Sequence, residues 1–320
     1  MDIKNNYSLR LNKDIERKLI ARNLLALKKY SYVFDDYLYV GFWSIYFMDF
    51  KLFHKMLGIN NMLSFEKGDS SRSQFNNPYD FIKIEEGDFS DRYNSVVDFN
   101  KKIFFRLDYE CPLSNDIIKD IDNIVRSKIT KWGTILSLSL HCQLPLNDEK
   151  KEEYINKFRE EWSWYLARKK NSQGKEELPK FKHVTQENLA QKYIEILEGK
   201  IKDCLRGREL DYIILYKYNY RDWSKMFTIW FLLDSWEKIA ELKRNFWSVE
   251  MVEIDAPVLT LKEKVAFNVN LNRIQKILTG RSQNKDVKIS KKLGYHLKNR
   301  EVKAYLKYYK EYPHFTEVTI

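Results

Sequence analysis

The chain has 320 residues, of which 44% are hydrophobic and 32% charged, a composition that provides a sizeable core and is not typical of a disordered protein. No apolar run approaches the roughly 18 residues that cross a bilayer, and residues 1–13 lack the apolar segment of a signal peptide. Three widely spaced cysteines exclude a disulfide framework and favour a reducing compartment. We therefore expect a cytoplasmic protein without a membrane partner.

The positive charge is concentrated in one part of the chain. The net charge is +11, and residues 261–320 contain 14 Lys and Arg against 5 Asp and Glu, a net charge of +9. Residues 1–260 therefore carry only +2. Binding of a polyanion, if it is driven by charge, is predicted for the C-terminal segment.

The first part of the chain alternates between helical and strand patterns. Apolar residues at helical spacing, among them Ile15, Leu19 and Leu24, predict an amphipathic helix within residues 12–34. Five short apolar strands are predicted at Tyr37–Gly41, Met62–Phe65, Asp80–Ile84, Ile103–Leu107 and Thr134–Leu140. The helical stretches between them are Ile45–Leu57, Ser71–Phe75, Tyr93–Asn100 and Asn115–Ile129. This alternation predicts right-handed βαβ units and a parallel sheet with helices on both faces.

The pattern changes after Leu140. A charged stretch within residues 150–199 predicts two helices, with a loop at Asn171–Pro179. Two β-rich runs, Asp211–Tyr220 and Lys225–Leu233, are joined by a short polar turn and predict an antiparallel hairpin. Further helices are predicted at Trp236–Phe246, from Thr260 to about Leu278, and within Ser290–Tyr309.

These elements predict an α/β fold, with a Rossmann-like, mostly parallel sheet and a terminal antiparallel hairpin. The predicted divisions are an N-terminal helix over residues 1–35 and a Rossmann-like domain over 36–255, with a helical insertion at about 150–205. A basic helical module is predicted over 256–320.

The order of elements over roughly residues 36–233 resembles the class I S-adenosylmethionine-dependent methyltransferases. In that family the first strand enters a glycine-rich turn, commonly acidic-x-Gly-x-Gly. The corresponding turn here has two small residues, Gly41 and Ser44, that would let a ligand approach the backbone. The second glycine is missing, and Phe42 and Trp43 are bulky. The resemblance implies that this turn contacts S-adenosylmethionine as cofactor. The alternative is that it is an ordinary strand-to-helix turn without a ligand.

The resemblance also implies cofactor contacts at the next two strand ends. Glu66 ends the second strand, where the family holds the ribose hydroxyls, and a carboxylate offers two acceptor oxygens for two hydroxyls. After the third strand, Asp88 and Phe89 match the residues that contact the adenine amino group and pack on its ring. Gly87-Asp88 is also ordinary turn chemistry, which is the alternative interpretation.

Two residues at later strand ends are candidates for the acceptor side. Asp108 ends the fourth strand, at the edge where open α/β sheets place their active crevice, and would act as a general base or orient a nucleophile. His141 follows the fifth strand and is a second candidate base, with a structural histidine as the alternative. No cluster has metal-site spacing, so no metal is predicted. P-loop, GxSxG and HExxH motifs are absent.

The C-terminal segment combines basic residues with tyrosines. Six cations are candidates for binding nucleic acid: Lys291, Lys292, Lys298, Arg300, Lys303 and Lys307. Neighbouring tyrosines, Tyr305, Tyr308 and Tyr309, would add base stacking. The alternative is a solvated basic face with the tyrosines turned inward. Some of the eight tryptophans could also serve as stacking platforms, although most are expected in the core.

Two functions remain open at this stage. One is an S-adenosylmethionine-dependent methyltransferase that acts on nucleic acid or a small molecule. The other is a non-catalytic Rossmann-like scaffold or ligand sensor, which would bind nucleic acid or a protein partner through the basic C-terminal module.

Overall fold

The computed structural model describes residues 10–42, 45–98, 100–127, 130–166, 184–221, 223–245, 249–279, 289, 291–294 and 298–313. The strands are β1 (Leu38–Phe42), β2 (Met62–Glu66), β3 (Ile82–Glu86), β4 (Ile103–Asp108), β5 (Thr134–His141), β6 (Asp211–Arg221), β7 (Lys225–Asp234) and β8 (Met251–Ile254). The first helices are α1 (Leu11–Ala26), α2 (Met48–Leu57), α3 (Ser71–Phe75), α4 (Phe89–Val96) and α5 (Asn115–Arg126). They are followed by α6 (Asp148–Leu166), α7 (Leu189–Leu205), α8 (Trp236–Asn245), α9 (Leu261–Thr279) and α10 (Asn299–Tyr308). Within these residues no helix is both long and apolar enough to cross a membrane.

The strands form one sheet in the order β3-β2-β1-β4-β5-β7-β6-β8. Every neighbouring pair is parallel except the two pairs made by β7. The predicted hairpin is confirmed, because β6 and β7 pair antiparallel from Asp211–Asp234 to Arg221–Lys225, with β7 beside β5. The α/β fold class with a Rossmann-like, mostly parallel sheet is therefore confirmed. The chain order reverses between β1 and β4, which makes a crevice at their carboxyl ends.

Several predicted boundaries were wrong by two residues or more, and one strand was missed; the helix predicted from Ile45, for example, begins at Met48. The third strand begins two residues later than predicted, because residues 80 and 81 form a turn closed by a bond from the Ile82 N–H to the Tyr79 carbonyl at 3.1 Å. The helix predicted at Tyr93–Asn100 begins instead at Phe89. The four-residue strand β8 pairs parallel with β6 at the sheet edge. The predicted loop at Asn171–Pro179 lies outside the described residues.

Helix α5 shows how local sequence produces an element of this fold. Ser114 is its N-cap and accepts a hydrogen bond from the Ile117 backbone N–H at 3.5 Å. Apolar residues then recur every three or four positions and are buried: Ile117, Ile118, Ile121, Ile124 and Val125. This stripe packs on the sheet because an amphipathic helix gains most of its stability from burying its apolar face.

The sheet has a hydrophobic core on each face. One core joins the sheet to α4, α5, α6 and α7. The other joins it to α1, α2, α8 and the C-terminal helices, and includes Phe267 from α9 and Tyr305 from α10. The C-terminal helices thus share one core with the N-terminal helix and the sheet.

Candidate functional site

The carboxyl ends of the parallel strands bring several predicted site residues to one edge of the sheet. Gly41 lies near the end of β1, Glu66 ends β2 and Asp108 ends β4. Asp88 and Phe89 follow β3 at the same edge. Ser44, the remaining predicted cofactor contact, lies outside the described residues.

Glu66 is a nearly buried carboxylate, with an exposed fraction of 8%. Its Oε2 accepts a hydrogen bond from the Ser73 hydroxyl at 3.3 Å. Burial, reinforced by the carboxylates of Glu86 and Asp69, raises the pKa of Glu66 to about 7, although the bond from Ser73 opposes the shift. A carboxylate held in this way has acceptor capacity left for hydroxyl donors.

Asp88 and Phe89 have different surroundings. Asp88 is the N-cap residue of α4, and its side chain forms an exposed ion pair with Lys67, with Nζ and Oδ1 2.9 Å apart. Phe89 is buried and packs edge-to-face on Phe42 and Phe65, with centroid distances of 5.6 and 5.0 Å. Phe42 is only partly buried, so part of its ring is accessible at the carboxyl end of β1.

Gly41 makes room for a neighbouring side chain. A Cβ atom at this position would lie 2.8 Å from the Tyr39 hydroxyl oxygen and 3.0 Å from the ring carbon that bears it. Tyr39 itself is fixed by edge-to-face contacts with Phe50 and Phe104 at 4.9 and 5.1 Å. The Tyr39 side chain therefore occupies the space that a side chain at position 41 would need on this face of the sheet.

Replacing Gly41 by alanine is expected to lower the free energy of unfolding by about 1–3 kcal/mol, because the added methyl group overpacks the space at the Tyr39 hydroxyl. Combining Gly41→Ala with Tyr39→Phe should recover part of this loss, since the closest atom is then removed. Urea denaturation of the two single variants and the double variant measures the coupling. Unchanged stability of Gly41→Ala would contradict this packing role.

Asp108 is paired with a lysine from the N-terminal helix. Lys13 Nζ lies 2.8 Å from the Asp108 carboxylate and donates to the Tyr220 hydroxyl at 2.9 Å. Burial alone would raise the pKa of Asp108, but Lys13 and Arg106 outweigh it and lower the pKa below its ordinary value. Asp108 is therefore ionised near neutral pH and is better suited to orienting a hydroxyl than to removing its proton.

His141, at the end of β5, is partly buried near Asp108. Burial lowers the pKa of His141 below its ordinary value, and the carboxylates of Glu110 and Asp108 only partly oppose this shift. A neutral imidazole near pH 7 has a nitrogen free of its proton, so this side chain has the protonation state of a base.

The sequence of the chain also matches the sequence model of a known protein family. The sequence model of a family described as "Putative O-methyltransferase" matches residues 5–320. The chain belongs to this family. Among curated protein sequences, none matches the chain significantly.

Solved structures similar to this O-methyltransferase family member include methyltransferases. A "putative hemolysin" from Lactococcus lactis has 8% identity and a TM-score of 0.38, over 70% of this chain and 89% of that chain. The 23S rRNA methyltransferase ErmE has 10% identity and a TM-score of 0.35, over 91% and 87%. An SAH-bound methyltransferase from Podospora anserina has 8% identity and a TM-score of 0.31, over 65% and 75%.

The sequence patterns of this family member did not reveal a buried group of charges beneath α1. Arg106 donates to Glu16 and to Asp49, each at 2.9 Å, and Arg17 also bonds to Asp49. We call this group the α1 charge cluster; it comprises Lys13, Glu16, Arg17, Asp49, Arg106 and Asp108. Three cations and three anions balance in it, so α1 is attached to the sheet beside the crevice by paired charges.

The six basic residues predicted to bind nucleic acid are all exposed: Lys291, Lys292, Lys298, Arg300, Lys303 and Lys307. Their neighbours Tyr305 and Tyr308 are buried and donate hydrogen bonds to Asn268 and to the Glu253 carbonyl. These two tyrosines therefore belong to the core, while Tyr309 is 37% exposed. Nucleic-acid binding by this face stays a prediction.

Proposed function

We propose that the chain is an S-adenosylmethionine-dependent methyltransferase that transfers the methyl group to an oxygen atom. The observation that carries the proposal is Glu66, a nearly buried carboxylate with spare acceptor capacity at the end of β2. The family description supports an oxygen acceptor. The reversal of strand order between β1 and β4 supports a crevice at this edge of the sheet.

The residues at this edge fit the adenosine part of the cofactor. Glu66 would accept hydrogen bonds from both ribose hydroxyls. These bonds would use the acceptor capacity of the carboxylate that the single bond from the Ser73 hydroxyl leaves open. Asp88 is exposed at the start of α4 and would accept a hydrogen bond from the adenine amino group. The partly buried Phe42, supported by Phe89, offers an apolar contact for the base.

The acceptor side would use Asp108 and His141. When bound, the cofactor supplies a methyl group activated by its attachment to a positively charged sulfur. Asp108, kept ionised by Lys13, would orient the acceptor hydroxyl, and the neutral His141 would take its proton. Alignment of the acceptor oxygen with the methyl carbon supplies most of the rate gain in such a displacement.

Calorimetric titration of the purified chain with S-adenosylmethionine tests the proposal. We expect saturable binding to the wild type and binding at least tenfold weaker, about 1.4 kcal/mol, for Glu66→Ala. Loss of hydrogen bonds to a charged acceptor explains this magnitude. Asp211→Ala is the matched control, because Asp211 is a carboxylate at the opposite end of the same sheet.

Two outcomes would contradict the proposal. Absence of heat with the wild type, together with an unshifted melting temperature, would favour the non-catalytic scaffold. Equal affinity of the wild type and Glu66→Ala would remove Glu66 from the cofactor site. If binding is found, transfer of a labelled methyl group to candidate hydroxyl compounds identifies the acceptor class.

A further inference from the structure

A cavity of about 580 Å³ opens at the edge of the sheet opposite the candidate active site. Its lining residues come from the segments before β4, before β5 and before β6, so it faces the amino ends of these strands. The six-residue strand β4 separates the two edges by roughly 17 Å, at about 3.3 Å per residue. The volume lies in the usual range of small-molecule sites, about 300–1,000 Å³.

An exposed tryptophan on a fixed turn borders this cavity. Trp132 is 57% exposed. Its turn is closed by a bond from the Thr134 N–H to the Lys131 carbonyl at 3.2 Å. Gly133, with φ of +86°, accepts from the Tyr37 hydroxyl at 2.8 Å, and its N–H donates to the Leu233 carbonyl at 2.9 Å. The backbone of this turn is thus anchored to the core while the indole ring remains accessible.

The cavity also collects positive charge. Its charged lining residues are Lys101, Lys102, Lys131, Arg208 and Glu209, four cations and one anion. Arg208 Nη2 donates to the Thr130 carbonyl at 2.9 Å, and Nη1 donates to the Val125 carbonyl. Within the described part of the chain, none of the four cations forms an ion pair with a carboxylate. The described lining therefore has three more positive than negative side chains.

We propose that this cavity is a second ligand site, which binds a nucleotide by stacking its base on Trp132 and neutralising its phosphate with the lysines. An accessible aromatic ring beside cations without a carboxylate partner in the described residues is the combination that recognises a base joined to a phosphate. The cavity volume suits one nucleotide, either free or as one unit of a single strand. The site shares no residue with the candidate methyl-transfer site, so it is independent of the proposed function.

Calorimetric titrations of the full chain with AMP, and separately with a short oligouridylate, test this site. We expect binding of at least one probe, weakened about tenfold by Trp132→Ala through loss of base stacking. Trp236→Ala is the matched control, since Trp236 is 59% exposed and does not line the cavity. Binding of AMP identifies a free nucleotide, and binding of the oligouridylate alone identifies a strand.

A charge variant provides a second test. Lys101→Gln with Lys131→Gln should weaken binding and reduce its dependence on salt, whereas Lys55→Gln, an exposed lysine on α2, should not. The Glu66→Ala variant separates the two sites: it should remove AMP bound at the candidate cofactor site and leave the binding that depends on Trp132 unchanged. Binding that is lost in Glu66→Ala but kept in Trp132→Ala would overturn the proposal, as would no binding of either probe.

Discussion

Replacing Glu16 by alanine is expected to lower the free energy of unfolding by about 3–5 kcal/mol. The Glu16 and Arg106 side chains are both fully buried, and Arg106 donates to Oε2 of Glu16 at 2.9 Å and to Oε1 at 3.4 Å. Burial alone would lower the pKa of Arg106, but Glu16 and Asp49 outweigh it and raise the pKa well above its ordinary value. Without Glu16 the guanidinium would remain charged, and part of its charge would be buried without a partner.

Urea denaturation measures this effect against an exposed ion pair. Asp116→Ala removes the partner of Lys119, and both side chains of that pair are more than 70% exposed, so a change of about 0–1 kcal/mol is expected. A double variant, Glu16→Met with Arg106→Met, should be more stable than Glu16→Ala because no buried charge is left unpaired. A loss below about 1 kcal/mol in Glu16→Ala would show that the pair is not buried in solution.

Glu66→Gln is expected to stabilise the ligand-free protein at pH 8 by up to about 3 kcal/mol and to change its stability little at pH 4. The pKa of Glu66 is about 7 in the folded protein, against an ordinary value of 4.5. Between these two values the folded state binds the proton more tightly than the unfolded state does, so stability falls as the pH rises through this window. A shift of this size corresponds to about 3 kcal/mol, at about 1.4 kcal/mol per pKa unit. Glutamine does not ionise and avoids this penalty.

Urea denaturation of the wild type and Glu66→Gln at pH 4 and pH 8 gives the four stabilities needed. Glu153→Gln is the control, because Glu153 is exposed on α6 and its charge lies in water. A stability difference between wild type and Glu66→Gln that does not change with pH would rule out the raised pKa. If Glu66 binds ribose hydroxyls as a carboxylate, the affinity of the wild type for S-adenosylmethionine should also fall as the pH drops below 7.

Ionised Glu66 is expected to lower the free energy of unfolding of the ligand-free protein and to increase its affinity for the cofactor. The buried carboxylate lowers the stability of the ligand-free protein, and we propose that it provides acceptors for the cofactor. Binding residues often carry such a cost, because the groups that suit a ligand are poorly satisfied without it. Glu66→Gln should therefore be more stable and bind the cofactor more weakly.

The sequence by itself predicted the alternation of strands and helices and the closing hairpin. These features depend on local periodicity and turn residues, which act over a few positions. The placement of Glu66 and Asp108 at strand ends followed from the same patterns, because parallel strands bring their carboxyl ends to one edge. The short strand β8 was missed because four residues at a sheet edge carry little periodic signal.

Only the tertiary structure decided which charged and aromatic side chains are buried. In the sequence of α1, Lys13 and Glu16 resemble the solvated face of an amphipathic helix, yet their partners Asp108 and Arg106 lie 95 and 90 positions away. Periodicity within one helix contains no information about such distant partners. Likewise, Trp132 meets the cations of two other segments only after the sheet has formed. Local patterns therefore determined the elements and their order, whereas long-range contacts decided the α1 charge cluster and the second cavity.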